Sequence, residues 1–193
     1  MVDAIDDPLR FPVPEILETP RLVLRTMRRS DAPQLHEALA QSIVELRQYL
    51  WFLPWVREEP TLQSAERRCI RAHAAFLLRT DLAYLAVARS SGHLIGSAGL
   101  HRTDWSLPRT EVGYWIRSSE TGRGYASEAV RALTQWALTG LGARRVELIT
   151  DELNAGSCRV AIRCGFELEG VQRNALCTPA GELRNTCMYA RTR

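Results

Sequence analysis

The chain contains no lysine, and all 25 of its basic residues are arginine. That absence removes the Gly-Lys-Ser/Thr signature of a nucleotide-hydrolysing phosphate loop. We read it as compositional bias, although arginine is also the better bidentate partner for phosphate or carboxylate. The net charge of only +3 is spread along the chain without a basic block, which argues against direct nucleic-acid binding. No C-x-x-C pair occurs among Cys69, Cys158, Cys164, Cys177 and Cys187, and His36, His73, His93 and His101 lack ligand spacing. Neither a disulfide framework nor a metal site is therefore expected. Apolar runs stay short of the roughly 18 residues a membrane helix needs, and the acidic start MVDAIDDPLR lacks the basic flank and apolar stretch of a signal peptide. A cytoplasmic protein with no membrane association is the expectation. What is present, 193 residues of which 46% are hydrophobic and 24% charged, suits one globular domain.

Residues 1–18, with Pro8, Pro12 and Pro14 among acids, read as an extended leader, so organised structure is expected to begin near Arg21 and one domain to fill 19–193. Leu22 to Leu24 predict a first strand. Ser30 or Asp31 can then cap a helix whose apolar face is Leu35, Leu39, Ile43, Leu46 and Leu50. After the aromatic segment Tyr49 to Trp55, broken at Pro54, Leu62, Ala65, Cys69, Ala72 and Phe76 predict a second helix. LAYLAVA (82–88) and HLIGSAGLH (93–101) form a hairpin around Arg-Ser-Ser-Gly, and TEVGYWI (110–116) adds a third strand. From Gly124 the pattern is helical to about Gly140, and RRVELIT (144–150) returns to strand. A short helix at 155–164 and strands near 166–174 and 183–190, separated by Thr-Pro-Ala-Gly, complete the chain.

The most informative stretch is TEVGYWIRSSETGRGYASEAV, a strand entering a Gly-containing loop that opens a helix. Gly122 and Gly124 permit a conformation in which several N–H groups point inward, and the helix adds the positive end of its dipole, so a pyrophosphate is a natural guest. Arg123 offers a charged contact, or is a plain surface arginine. Gly122-x-Gly124-x-x-Ser127 also nearly satisfies the dinucleotide fingerprint. Its position argues against a Rossmann unit, because a hairpin precedes it and only one strand-helix-strand crossover follows.

Together ETPRLVLR, LIGSAGL, EVGYWI, TGRGYASEAVRAL and RVELITDELNAGSCRVAIRCGFELEGV resemble the GNAT superfamily of N-acetyltransferases, within it the RimJ/RimL group of ribosomal-protein N-terminal acetyltransferases. The resemblance spans roughly residues 19–191. It implies an α+β fold: a mixed, mainly antiparallel sheet flanked by helices, with a splayed central strand pair. It also implies acetyl-CoA as cosubstrate, with pyrophosphate on the amides of Gly122, Arg123, Gly124, Tyr125, Ala126 and Ser127, and pantetheine along the Tyr114-Trp115-Ile116 backbone. Thr121 stands where the family pattern has Gln or Arg, which removes one side-chain contact and leaves the backbone cradle.

Acetyl transfer needs a neutral amine, a polarised thioester carbonyl and a proton for the departing thiolate. Asn154 and Ser157 sit as Asn-x-x-Ser at a helix entrance. Helix capping is their ordinary role; the resemblance makes Asn154 a cofactor contact and Ser157 the proton donor. Glu111, on the strand beside the cofactor and on one face with Gly113 and Trp115, is the expected base, or else a surface carboxylate. A glutamate that some RimL-like enzymes carry on the strand after the short helix aligns with Leu176 here. Tyr49, Trp51, Phe52 and Trp55 are expected to wall the acceptor site, or simply to pack beneath a loop. A lysine amine costs roughly 4 to 5 kcal/mol to deprotonate at neutral pH and an α-amine only about 1 to 1.5. With a weak base the expected acceptor is therefore a protein N-terminus. Small amines, an acetyl-CoA-binding module without catalysis, and homodimerisation stay open.

Overall fold

A computed structural model describes residues 7–193. The first strands in chain order are two short ones, the edge strand β1 (Ile16–Glu18) and its neighbour β2 (Leu22–Thr26). They pair antiparallel with Ile16 opposite Arg25. The expected leader is corrected here, since structure begins before Arg21. Val13 is buried, the Tyr84 hydroxyl donates to the Pro14 carbonyl at 2.8 Å, and the Phe11 ring lies 5.8 Å from that of Trp105. Proline's missing donor suits an extended segment at a sheet edge, where no ladder bond is lost. Residues 1–6 of the expected leader lie outside the described residues.

Three helices follow as α1 (Ala32–Tyr49), α2 (Pro54–Arg57) and α3 (Leu62–Leu77). Along α1 the buried face is Leu35, Ala38, Leu39, Ser42, Ile43 and Leu46, one stripe at helical spacing. Asp31 precedes it but gives α1 no side-chain cap: its carboxylate accepts from the Arg25 guanidinium at 2.6 and 2.8 Å and from the Arg28 N–H at 2.7 Å. Pro54, expected to break the aromatic segment, starts α2 instead; its fixed φ and missing N–H suit the first helical position. Thr61 caps α3 by accepting from the Ser64 N–H at 3.0 Å.

The remaining elements are β3 (Leu82–Ala88), β4 (Leu94–Asp104), β5 (Arg109–Ile116), α4 (Tyr125–Thr139), β6 (Arg145–Asp151), α5 (Ala155–Arg163), β7 (Glu167–Cys177) and β8 (Leu183–Thr192). All strands join one eight-stranded sheet in the order β1-β2-β3-β4-β5-β6-β8-β7. Every neighbouring pair is antiparallel except β5 and β6. A doubly wound dinucleotide fold needs a mostly parallel sheet, so that alternative falls.

The parallel pair is short. Arg109, Thr110 and Glu111 face Arg145, Val146 and Glu147, and pairing stops there. Beyond that point β5 stays on β4 through Ile116, while β6 stays on β8 through Asp151. The two strands diverge, leaving facing edges without a ladder. Alternation along β5 then assigns opposite faces: Trp115 packs with Leu39, Leu46, Cys69 and Leu85 under α1 and α3. Val112 and Tyr114 pack with Val130, Leu133, Leu148 and Ala161 under α4 and α5. Each fully buried Val or Leu in these layers is worth about 1.5–3 kcal/mol, enough to hold the parting open between two rigid walls.

A candidate acetyl-transfer cleft

The diverging strands open into a cavity of about 980 Å³ that runs from the start of α4 to α3. At one end, Gly122 and Gly124 adopt φ of 76° and 81°, a left-handed region that a side chain enters only at a cost. Nothing lies within 4 Å of a Cβ built at Gly122, so its requirement is conformational. Gly124 occupies the N-cap of α4 and supplies no side-chain cap. The first-turn amides of Tyr125, Ala126 and Ser127 thus keep their donors for an anion, aided by the helix dipole. Gly122, Gly124, Tyr125, Ala126 and Ser127 all line the cavity, as does Thr121, whose hydroxyl donates to the Ser118 carbonyl at 2.9 Å.

Arg123 departs from expectation. Its side chain is largely exposed, pairs with Glu120 at 3.1 Å and is not among the groups lining the cavity; only its main chain belongs to the loop. The charge that braces this loop is Arg21, which sequence reasoning left without a role in ETPRLVLR. Its guanidinium bonds Glu128 in the first turn of α4 at 2.6 Å, donates to the Arg123 carbonyl at 3.0 Å and lies 4.6 Å from the Tyr125 ring centroid. Thr19 also donates to Glu128, at 2.6 Å. Burial disfavours the Glu128 charge, but the Thr19 and Arg21 hydrogen bonds win and hold its carboxyl below the usual range. A carboxylate beside an anion cradle is tolerable when neutralised in this way.

Across the parting, Asn154 and Ser157 sit at the start of α5. Asn154 caps the helix, its Oδ1 accepting from the Ser157 N–H at 3.1 Å, and both line the cavity. The Ser157 Oγ accepts from the Tyr114 hydroxyl at 3.1 Å. Tyr114 was expected only through its backbone; its side chain is an addition that the geometry alone reveals. Burial pushes the Tyr114 phenol up to about 12, against a smaller opposing effect of Ser157. At neutral pH it remains a donor, leaving the Ser157 proton free to point into the cleft.

The opposite end is walled by α1, α2 and α3. Tyr49, Phe52 and Trp55 line the cavity. Trp51 does not: its ring packs edge-on against Phe52 and its carbonyl accepts from Arg57 at 3.1 Å. The Tyr49 hydroxyl reaches the Leu153 carbonyl, 3.4 Å away, tying the end of α1 to the turn before α5. Glu111 lines the cavity too, mostly covered and bonded to the Arg102 guanidinium. Directly opposite it on β4 stands His101, whose Nδ1 lies 2.5 Å from the Asp81 carboxylate. The His101 ring covers Gly113 so closely that a Cβ there would sit 3.0 Å from Nε2. The Asp81 contact leaves Nε2 as the ring nitrogen on the Gly113 side. No spacing rule joins Asp81 to His101, which the β3–β4 pairing alone brings together. Leu176, on β7 opposite Arg184, lies outside the cavity lining.

The model for the acetyltransferase (GNAT) domain matches residues 21–167. An uncharacterized N-acetyltransferase, p20 of Bacillus licheniformis, is 28% identical over 161 residues, covering 83% of this chain and 86% of that protein. The ribosomal-protein-serine acetyltransferase of Escherichia coli is 26% identical over 157 residues, 78% of this chain and 87% of that one. Among solved structures, RimL, a ribosomal L7/L12 alpha-N-protein acetyltransferase in complex with coenzyme A, superposes with a TM-score of 0.82. It shares 25% identity, covering 92% of this chain and 98% of its own. With the open mixed sheet, the parted β5 and β6 and the matched span, the chain belongs to the GNAT acetyltransferase family.

Proposed function

We propose that the chain transfers an acetyl group from acetyl-CoA to the α-amine of a polypeptide N-terminus. Support for the cosubstrate comes from the anion cradle at the start of α4 and from the coenzyme A complex of the RimL relative. In this reading, pantetheine follows the free edge of β5 at Tyr114, Trp115 and Ile116, and Asn154 and Ser157 face its sulfur. Ser157 gives its proton to the thiolate as the C–S bond breaks and takes the Tyr114 hydroxyl proton in its place through the hydrogen bond it already accepts, the phenol then regaining a proton from water. On the other face, Glu111 receives the proton that the amine loses as the N–C bond forms.

The observation that carries the α-amine is the engagement of both carboxylates at this end of the sheet: Glu111 by Arg102 and Asp81 by His101. A carboxylate neutralised by an arginine is a weak base. It can take a proton from an α-amine, which costs about 1 to 1.5 kcal/mol to deprotonate, more readily than from a lysine at roughly 4 to 5. The polypeptide acceptor is supported by the ribosomal-protein acetyltransferases among the relatives. The test uses matched peptides, one with a free terminus and a blocked lysine, the other with an acetylated terminus and a free lysine, with thiol release and product mass as readouts. The first should be acetylated at least tenfold faster; faster acetylation of the second would refute the preference.

A further inference from the structure

The side chain of Arg68, on the face of α3 that lines the cleft, makes no hydrogen bond or ion pair among the described residues, and its Nε is wholly buried. A buried donor left without an acceptor is costly, more so when charged. Its one evident partner is the Trp55 ring, 3.9 Å from the guanidinium carbon. Stacking of that kind uses the flat face of the guanidinium and leaves its in-plane N–H groups unspent. The neighbouring Trp115 ring, 6.2 Å from Trp55, presents a second buried donor, Nε1, likewise without an acceptor. Two orphan donors therefore flank one tryptophan in the wall of one cavity. Burial pulls the Arg68 guanidinium down to about 10, so it still carries its charge at neutral pH.

The surrounding carboxylates do not answer this demand. Asp81 is spent on His101, Glu111 on Arg102, and Glu58 on Arg67 at 3.3 Å. Glu45 also lines the cavity, yet makes no ion pair with Arg68. Arg71, one turn along α3 from Arg68, adds further positive charge to the same wall. We infer that this end of the cleft is an anion subsite that binds a carboxylate carried by the acceptor, a short distance from the amine to be acetylated. Trp55 and Phe52 supply apolar surface around it, so the class of acceptor is an acidic amine rather than a neutral or basic one. The carboxylate belongs either to an acidic side chain near a peptide's N-terminus or to a free amino acid. This inference rests on reading the aromatic end as the acceptor site.

Four acceptors test it on the full chain: a peptide with Glu at its first three positions, its Gln counterpart, free glutamate and free glutamine. The kcat/KM of wild type for the acidic member of at least one pair should exceed that for the neutral member by tenfold or more. In Arg68→Gln, and more mildly in Trp115→Phe, that ratio should collapse toward one; the second substitution removes the Nε1 donor together with the pyrrole half of the buried indole. The pair that shows the preference identifies the source of the carboxylate. Equal rates in wild type, or a preference that survives both substitutions, would overturn the inference. Calorimetry with glutarate against glutaramide, in the presence of CoA, keeps this separate from the acetyl-transfer reading. If no amine is acetylated but glutarate binds wild type and not Arg68→Gln, the subsite stands and the transfer reading falls. If amines are acetylated without acid preference and glutarate does not bind, the subsite falls alone.

Discussion

At the α4 end of the cleft the open donors are main-chain amides, held by two glycines in left-handed conformation and by Arg21 behind them. At the α1–α3 end they are side chains: the aromatic rings of α1 and α2, the engaged acids Glu111 and Asp81, and the unpaired Arg68. Amides cannot be changed by substitution except through the backbone that aims them, whereas side chains change one at a time. A cradle of amides suits a ligand common to all relatives, and a wall of side chains suits one that differs among them. The parting of β5 from β6 joins the two, with the Tyr114–Ser157 hydroxyl pair on the α5 side of it.

The sharpest way to separate the two ends is to strike between them. Ser157→Ala should lower kcat by ~10²- to 10⁴-fold, the usual range for general-acid assistance, while acetyl-CoA affinity measured by calorimetry changes little. Unchanged turnover under conditions where chemistry limits the rate would reduce Ser157 to part of the α5 cap. Next in size, Gly124→Val should weaken acetyl-CoA binding by about 10- to 100-fold, since left-handed strain of about 1–3 kcal/mol falls on the cradle. Retained affinity in a folded variant would move the pyrophosphate elsewhere.

A smaller effect tests the brace behind the cradle. Glu128→Gln should cost about 1–2 kcal/mol of unfolding free energy at pH 7 from its lost charge-assisted hydrogen bonds, discounted for the exposed Arg21. Because the folded carboxyl titrates below its ordinary value, its contribution is complete above about pH 4.3. It fades as pH falls through the lowered value, so the gap between wild type and variant should close on acidification. A gap that widened would contradict the assignment. Least of all should change in Trp51→Ala, whose ring lies outside the cavity lining: acceptor KM is expected within about twofold of wild type, against a clear rise in Phe52→Ala. Equal rises would put Trp51 back in the acceptor wall.

The same division explains what could be read from sequence. Period-3.6 patterns located α1, α3 and α4 within a few residues because each buries one face, and β2 and β6 alternate in the same way, while β3 and β4 showed as apolar runs buried on both faces. Gly122 and Gly124 announced the left-handed turn at the start of α4 because only glycine meets that backbone demand at no cost. β1 went unread, since three residues among prolines show no alternation and gain their order from pairing with β2. The Tyr114–Ser157, His101–Asp81 and Arg68–Trp55 contacts were invisible for a related reason. Each joins residues distant in sequence, and their proximity is created by strand register or helix packing. Arg123 misled for the opposite reason: it lies in the right loop, but Glu120, three residues earlier, claims its charge.

The central claim, that acetyl passes between the two ends through the parting of β5 and β6 to an α-amine, meets its most direct test in a bisubstrate conjugate. A peptide α-nitrogen would be joined through an acetyl bridge to the sulfur of CoA, and its inhibition measured against each substrate in turn. Competition with both acetyl-CoA and the peptide is expected, with an affinity at least tenfold above that of CoA alone and weaker inhibition when the same bridge is attached to a lysine side chain. Inhibition competitive with acetyl-CoA only, at the affinity of CoA itself, would contradict it.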